Sequence, residues 1–244
     1  MNARPVITVA HLYPDLLMSY GDRGNVLVLE RRAAWRGIDV RVVLVHAGEP
    51  LPEETDLVVI GGGSDRVQRL IGDDLAARRP ELAERVAGGT AVFGVCAGYQ
   101  LLGRSYASAE GADIEGLGLL DLETKAGTGR IIGRVHGRAT LDGRSFDLTG
   151  FENHGGRTTL GPLATPLATV ARGRGNDGKD RTEGAVQGRV VGTYLHGPVL
   201  PTAPDLADVL LSWALEHAGA PRALAPLDDR LERRASAAGV SRPR

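Results

Sequence analysis

The sequence of 244 residues contains a single cysteine and no long apolar run. One cysteine excludes an internal disulfide and a cysteine-based metal cluster, and it fits a reducing compartment. No apolar stretch approaches the roughly 20 residues that span a bilayer, and the N-terminal residues show no signal pattern. The formal net charge of −1 supports neither a nucleic-acid partner nor direct membrane insertion. We therefore expect a cytoplasmic protein.

The first hundred residues alternate between strand patterns and helix patterns. A helix is predicted over residues 25–36, capped by Asn25, and another over residues 64–87, broken by Pro80. Apolar, β-branched runs predict strands at Val6–Leu12, Val40–Val45, Leu57–Ile60 and Thr90–Val95. The alternation predicts an α/β fold in which helices flank a mostly parallel central sheet.

Short apolar runs separated by glycines replace the helical pattern after residue 110. They predict added, partly antiparallel strands near residues 117–122, 130–135, 139–141, 167–170 and 185–191. An amphipathic helix is predicted over Pro204–Ala218. We expect a single domain over residues 1–218, followed by a weakly ordered basic tail over residues 219–244.

The cysteine lies on a turn between a predicted strand and a predicted helix, with glycines two positions away on either side. The segment Gly94-Val95-Cys96-Ala97-Gly98 has the pattern of a hydrolase nucleophile elbow, with sulfur in place of oxygen. A thiol at a helix N-terminus is favoured as the thiolate, which attacks carbonyl carbons. A lone cysteine is more often a small buried apolar residue. The flanking glycines instead favour Cys96 as a nucleophile.

A glycine run follows the predicted strand Leu57–Ile60 and exposes backbone amides. The amide of Gly62 or Gly63 could point, with the amide of Ala97, at one substrate oxygen. Such a pair would form an oxyanion hole for a tetrahedral intermediate. The alternative is a tight strand-to-helix turn without a catalytic role.

Of six histidines, two are candidates for the base that a cysteine nucleophile needs. His196 ends a short predicted strand, at the sheet edge where α/β sites assemble. His154 lies in a polar glycine turn and is the second candidate for the base. A nearby segment, Gly173–Asp180, approaches a phosphate-binding loop, but Asp180 replaces the hydroxyl that would reach Mg²⁺. We therefore expect no ATP site in this chain.

Together these segments resemble the class I glutamine amidotransferases, in the cobyric-acid-synthase-like branch. Within that branch the chain is most similar to the small glutaminase subunits of lipid II isoglutaminyl synthases. The resemblance extends from residue 5 to about residue 218, and its motifs lie at residues 20–25, 61–68, 94–100, 129–133, 150–154, 173–184 and 194–198. It implies a flavodoxin-like three-layer fold and hydrolysis of L-glutamine through a Cys96 thioester.

The resemblance also implies a partner and a substrate pocket. Ammonia would pass to a separate Mur-ligase-like subunit, in a heterodimer, which uses ATP and Mg²⁺ to amidate the D-glutamate of the peptidoglycan stem peptide. No cofactor is then expected in this chain. Arg130 would bind the substrate glutamine, since a guanidinium can hold both oxygens of the α-carboxylate. Gln100 and Asn153 are further candidates for this pocket.

Two other functions remain open at this point. One keeps the chemistry and changes the acceptor to a corrinoid acid, as in cobyric acid synthase. Those proteins usually carry a fused ATP-binding domain. The other is a catalytically silent regulatory subunit, a reading that the presence of both Cys96 and His196 disfavours.

The position of a third catalytic residue departs from the common class I pattern. That pattern places a glutamate two residues after the histidine, whereas His196 is followed by Gly197 and Pro198. The sequence therefore predicts a Cys96–His196 dyad within this chain. Glu152, a backbone carbonyl or a carboxylate of the partner subunit would hold the second ring nitrogen.

Overall fold

The computed structural model describes residues 4–108, 111 and 113–241. A 3₁₀ turn, Ser19–Gly21, precedes the first α-helix. The strands of the first half are β1 (Val6–Leu12), β2 (Asp39–Val45), β3 (Leu57–Ile60) and β4 (Ala91–Val95). The helices are α1 (Arg23–Ala34), α2 (Asp65–Leu70), α3 (Gly72–Ala87) and α4 (Ala97–Leu102).

Strands dominate the second half. They are β5 (Ser105–Ala107), β6 (Asp113–Glu115), β7 (Leu122–Leu141), β8 (Arg144–Leu160), β9 (Ala168–Arg172), β10 (Thr182–Glu183), β11 (Ala185–Gln187), β12 (Val190–Thr193) and β13 (Leu195–His196). A 3₁₀ turn at Leu200–Thr202 leads into α5 (Pro204–His217), and α6 (Arg230–Ser241) follows.

The first sheet has the strand order β11-β12-β4-β3-β1-β2. All neighbours pair in parallel except β11, which pairs antiparallel with β12 at the edge. The predicted parallel sheet with flanking helices is therefore confirmed. Since β3, β4 and β12 are neighbours, their carboxyl ends bring together the glycine run, the cysteine turn and the His196 segment.

The second sheet is built around the long antiparallel hairpin of β7 and β8. The pairing of this hairpin shifts between Ala126 and Ile131, so the intervening residues leave the ladder. At β8, Phe151 pairs with His196 of β13. The added antiparallel strands expected after residue 110 are thus present. The hairpin carries Arg130, Asn153 and His154 to the edge of the first sheet.

Several predicted boundaries differ from the structure. The helix predicted over 64–87 is divided at Ile71, and Pro80 lies inside α3 without ending it. Helix α1 begins at Arg23, so Asn25 is not its cap. Instead, the Asn25 side chain accepts a hydrogen bond from the Leu200 amide at 3.0 Å. Most of the strand predicted over residues 117–122 is instead a connecting segment, in which amides donate to α4 carbonyls. Strand β7 begins only at residue 122.

The C-terminal segment packs onto the fold, so the expectation of a weakly ordered tail is wrong for its described part. The buried Arg32 guanidinium pairs with Asp229 at 2.6 Å and with Asp208 at 2.8 Å. From α6, the Ser236 hydroxyl donates to Thr149 Oγ1 at 3.0 Å. These contacts join residues 229–236 to α1, α5 and β8. Residues 242–244 lie outside the described part.

No helix in the described part of the chain is long and apolar enough to cross a bilayer.

Candidate active site

Cys96 connects β4 to α4 in a backbone conformation that side chains rarely adopt. Its φ is 52° and its ψ is −100°, and its amide donates to the Thr193 carbonyl of β12 at 2.8 Å. Such strain is typical of nucleophile elbows and requires support from the surrounding structure. Hydrogen bonding to the neighbouring strand provides part of that support.

The two glycines that flank Cys96 are required by close packing. A Cβ added at Gly94 would lie 2.6 Å from Leu102 Cδ1, and one at Gly98 would lie 2.4 Å from the Ile60 carbonyl oxygen. The Gly98 amide also donates to the Gly61 carbonyl at 3.0 Å. The glycines therefore let α4 approach β3 and β4 closely.

His196 is buried beside Cys96 at the carboxyl end of the sheet. Burial alone would lower the pKa of its imidazole, but hydrogen bonds with Asp22 and Cys96, together with their negative charges, raise the pKa to about 9. A raised pKa favours the imidazolium at neutral pH. The geometry therefore suits an imidazolium–thiolate pair, in which Cys96 attacks and His196 holds the proton.

An acid of this chain lies next to His196, so the predicted dyad is wrong in its geometry. Asp22 Oδ1 is 3.4 Å from His196 Nδ1, and both side chains are buried. Glu152, named from the sequence for this position, instead accepts from the Arg174 and Gly175 amides at 2.9 and 2.8 Å. Asp22 belongs to the segment 20–25 that carries the family resemblance, but it precedes His196 by 174 residues. Only tertiary packing shows their contact.

The glycine run uses one of its amides to hold this acid. The Gly62 amide donates to Asp22 Oδ2 at 2.7 Å, so it is not available for an oxyanion in this arrangement. The expectation for Gly62 is therefore wrong. The amides of Gly63 and Ala97 stay the predicted oxyanion hole.

His154, the second candidate for the base, has a different environment from His196. Its ring stacks on Tyr194 with centroids 3.6 Å apart, and its Nδ1 lies 2.9 Å from the Gly156 carbonyl oxygen. Asp22 and Cys96 are the residues that raise the pKa of His196. The structure therefore favours His196 over His154 as the proton carrier.

A cavity of about 370 Å³ opens above the cysteine. Its lining includes Cys96, Gln100, Arg130, Asn153 and His154. Arg130 donates through Nε to Asn153 Oδ1 at 2.8 Å and through Nη2 to the Asn153 carbonyl at 2.7 Å. The guanidinium is thereby held at the cavity wall, where it can meet an anionic ligand.

The family follows from comparison with known proteins. The CobB/CobQ-like glutamine amidotransferase domain matches residues 8–204. The chain belongs to this family. It is a glutamine amidotransferase in which the cysteine, the histidine and the pocket arginine come from three separate parts of the sequence.

Two similar proteins share almost the full length of the chain. The lipid II isoglutaminyl synthase (glutamine-hydrolyzing) subunit GatD of Staphylococcus aureus is 38% identical over 93% of this chain and 91% of its own length. The subunit of the same name from Streptococcus pneumoniae is 38% identical over 86% of this chain and 81% of its own length. Cobyric acid synthase of Rhodobacter capsulatus is 36% identical, over 79% of this chain but 43% of its own length.

Solved structures support the fold. A glutamine amidotransferase from Thermotoga maritima aligns with a TM-score of 0.56 at 20% identity, covering 96% of this chain and 93% of that one. Another glutamine amidotransferase structure aligns with a TM-score of 0.52 at 21% identity, covering 86% and 98%.

The two further pocket candidates of this amidotransferase already have protein partners. Gln100 accepts from Gln68 Nε2 at 2.9 Å and donates to the Tyr194 hydroxyl at 3.2 Å. Asn153 orients Arg130 through its side-chain and backbone oxygens. Their observed contacts hold both side chains in the pocket wall. That Gln100 or Asn153 contacts the substrate glutamine stays a prediction.

The loop that approaches a phosphate-binding pattern uses its amides within the protein. The amides of Arg174 and Gly175 bind Glu152, and those of Lys179 and Asp180 bind Asp177 Oδ1 at 2.7 and 2.9 Å. Carboxylates of this chain thus occupy the amides that a phosphate would need. Among residues 4–108, 111 and 113–241, no group of three or more histidine, cysteine or acidic side chains is arranged to hold a metal ion.

Proposed function

We propose that this chain is the glutamine-hydrolysing subunit of a lipid II isoglutaminyl synthase. It would convert L-glutamine and water to glutamate and ammonia. The observation that carries this proposal is that Cys96 and Arg130 line one cavity while His196 lies beside the cysteine. A nucleophile, a proton carrier and a carboxylate-binding group are what hydrolysis of a free amino-acid amide requires.

Substrate binding begins with the charged end of glutamine. The Arg130 guanidinium has five N–H donors, and two of its nitrogens already bond to Asn153. The remaining donors can bind the α-carboxylate. This arrangement directs the side-chain amide toward Cys96, which lines the same cavity.

The reaction then proceeds through a covalent intermediate. The Cys96 thiolate attacks the amide carbon, and the Gly63 and Ala97 amides stabilise the oxyanion. His196 gives its proton to the leaving nitrogen, the carbon–nitrogen bond breaks, and ammonia departs from a γ-glutamyl thioester. A water molecule, deprotonated by His196, attacks the thioester carbon. Glutamate leaves, and the thiolate and imidazolium are restored.

The ammonia would be consumed by a partner. We propose a Mur-ligase-like subunit that binds ATP and Mg²⁺ and amidates the D-glutamate of the stem peptide, in a heterodimer with this chain. Support comes from the near full-length similarity to two subunits named for lipid II isoglutaminyl synthase. The expected cytoplasmic location fits this role and stays a prediction.

The corrinoid alternative has weaker support, because the chain covers only 43% of the length of the Rhodobacter capsulatus cobyric acid synthase. A silent regulatory subunit would not need the paired Cys96 and His196 or the strained turn that holds the cysteine. Both alternatives predict that the complex does not amidate lipid II with glutamine as the nitrogen source.

Reconstitution with the amidating subunit tests the proposal. The wild-type complex should amidate lipid II with either glutamine or ammonium chloride as the nitrogen source. The complex with Cys96→Ala should lose the glutamine-dependent reaction and keep the ammonia-dependent one. Loss of both would show damage to the assembly, and retention of both would contradict Cys96 as the nucleophile. Amidation of a corrinoid acid, with lipid II unchanged, would favour the alternative acceptor.

A further inference from the structure

The Asp22 carboxylate lies between two parts of the catalytic site. One oxygen is 3.4 Å from His196 Nδ1, and the other accepts from the Gly62 amide at 2.7 Å. Asp22 is 2% exposed. It precedes α1, where the helix dipole favours a negative charge. A single buried carboxylate therefore contacts both the histidine and the loop expected to bind the oxyanion.

The two peptide units that meet at Gly62 are both held by the segment that carries Asp22. The Gly62 carbonyl accepts from the Ser19 amide at 3.1 Å, while its amide donates to Asp22. A Cβ added at Gly62 would lie 2.7 Å from His196 Cε1 and 2.9 Å from Asp22 Oδ2. The Ser19 bond fixes the peptide that joins Gly62 to Gly63, and with it the direction of the Gly63 amide, while the Asp22 bond fixes the preceding peptide, between Gly61 and Gly62.

Three contacts set the position of Asp22 relative to His196. Asp22 contacts His196 itself, and a Cβ added at Gly24 would lie 2.5 Å from Pro198 Cγ. Asn25 Oδ1 accepts from the Leu200 amide at 3.0 Å. Residues 22–25 and 196–200 thus pack against each other in a fixed alignment. A shift of either segment would break all three contacts.

We propose that Asp22 is the positioning residue of this site, which orients the His196 imidazole, stabilises its protonated form and holds the oxyanion loop through Gly62. This inference rests on the proposed glutamine hydrolysis. The distance of 3.4 Å between Asp22 Oδ1 and His196 Nδ1 is at the long end for a hydrogen bond. The acid comes from the segment before α1, whereas the common class I triad takes it from two residues after the histidine.

The side chains around Asp22 define what a pH measurement would report. They are His196, Cys96, His11 and the neighbouring Arg23. Burial, followed by the Arg23 charge, lowers the pKa of His11, against the raising effect of Asp22. His11 is therefore neutral in the alkaline range. A change in cysteine reactivity at alkaline pH therefore reports on the Cys96–His196 pair.

Asp22→Asn tests the proposal because it removes the charge while an amide oxygen can still accept from Gly62. In the complex with the amidating subunit, glutamine-dependent kcat should fall about 100-fold, the lower range for a general acid–base contribution. KM and melting temperature should change little. The rate of Cys96 alkylation by iodoacetamide is measured as a function of pH. The alkaline transition of this profile should move to lower pH by about 1–3 units, because the His196 imidazolium loses a nearby opposite charge. Asp39→Asn, at an exposed carboxylate, should change none of these.

Unchanged kcat and an unchanged alkylation profile in folded Asp22→Asn would overturn the proposal. If that variant fails to fold, ¹⁵N-histidine NMR of the wild-type chain provides a second measurement. His196 should be doubly protonated at neutral pH, and a neutral His196 there would equally overturn the proposal. Alkylation and NMR do not depend on glutamine turnover. Failure of the proposed function, seen with Cys96→Ala, is therefore distinguishable from failure of this role.

Discussion

The His154 imidazole stacks on the Tyr194 ring with an interplanar angle of 8°. Tyr194 in turn contacts Tyr99 edge to face, and its hydroxyl lies 2.6 Å from Thr158 Oγ1. His154 is therefore part of the pocket wall, two residues along the chain from Glu152 and separate from the Asp22–His196 contact. The two histidines that looked comparable in sequence have different structural roles.

Substitution should separate these roles. His196→Gln should lower glutamine-dependent kcat by about 100-fold or more, since it removes the proton carrier. His154→Gln should retain Cys96 alkylation at the wild-type rate and lose about 0.5–1.5 kcal/mol of stability, the value of an aromatic contact. Alkylation rates and thermal denaturation of both variants provide the comparison. Loss of Cys96 reactivity in His154→Gln alone would reverse the assignment.

Arg130 should act in substrate binding. Arg130→Ala should raise the KM for glutamine about 10- to 100-fold, because a charged hydrogen bond contributes about 1.5–3 kcal/mol. Its melting temperature should stay near that of the wild type, since the side chain is exposed. Arg138→Ala is the matched control on the same strand, where the arginine pairs with Asp147. A collapse in melting temperature with KM intact would indicate a structural role for Arg130.

Gly98 should tolerate no side chain. Gly98→Ala places a methyl group against the Ile60 carbonyl, and overpacking of this kind typically costs about 1–3 kcal/mol. It should also displace the Cys96 turn and lower activity. In Gly72→Ala the added methyl group meets no atom within 4 Å, and stability should change little or rise by about 0.4–1 kcal/mol. Denaturant unfolding of both variants checks this, and equal stabilities would contradict the packing argument.

Glu183 should make stability depend on pH. Burial raises the pKa of its carboxyl to about 7, against lowering hydrogen bonds from Tyr194 and Thr193. Because the folded pKa lies above the ordinary value of 4.5, the folded state binds the proton more tightly than the unfolded state. The stability that this proton binding gives to the folded state is therefore complete below pH 4.5 and is lost as the pH rises through about 7.

Glu183→Gln removes this titration. The unfolding free energy of the wild type should fall by about 1–3 kcal/mol more than that of the variant between mildly acidic and mildly alkaline pH. Urea unfolding at several pH values measures the difference. Parallel curves for the two proteins would mean that Glu183 does not titrate in this window.

The features that sequence alone predicted well are those encoded locally. The bounds of β1 and β3 match the predicted strands, since short β-branched runs are characteristic of buried parallel strands. The Cys96 turn was recognisable because both glycines and the cysteine lie within five consecutive residues. Arg130 and His196 were proposed through the family resemblance and their segments, and the structure places both around the cysteine.

The features that sequence did not predict depend on contacts between distant segments. Asp22 acquires its position because the neighbouring Gly24 and Asn25 lie against Pro198 and Leu200, and no local pattern shows this. The Gly62 amide was assigned to the oxyanion hole because a glycine run exposes amides, but a carboxylate 40 residues away occupies it. Helix α6 was missed because its attachment relies on buried polar contacts, such as Ser236 with Thr149, where a strong apolar stripe would have been visible.

The placement of β12 beside β4 determines when during synthesis the thiol becomes reactive. The two strands pair through Val190 with Val92 and Thr193 with Val95, although the whole β7–β8 hairpin is synthesised between them. A nascent chain that ends before β12 carries Cys96 without His196 and without the strand that receives the Cys96 amide. Pairing of segments so far apart is slow compared with local folding. Chains that end before His196 should therefore be inert toward glutamine, so ammonia is released only after the residues through His196 have left the ribosome.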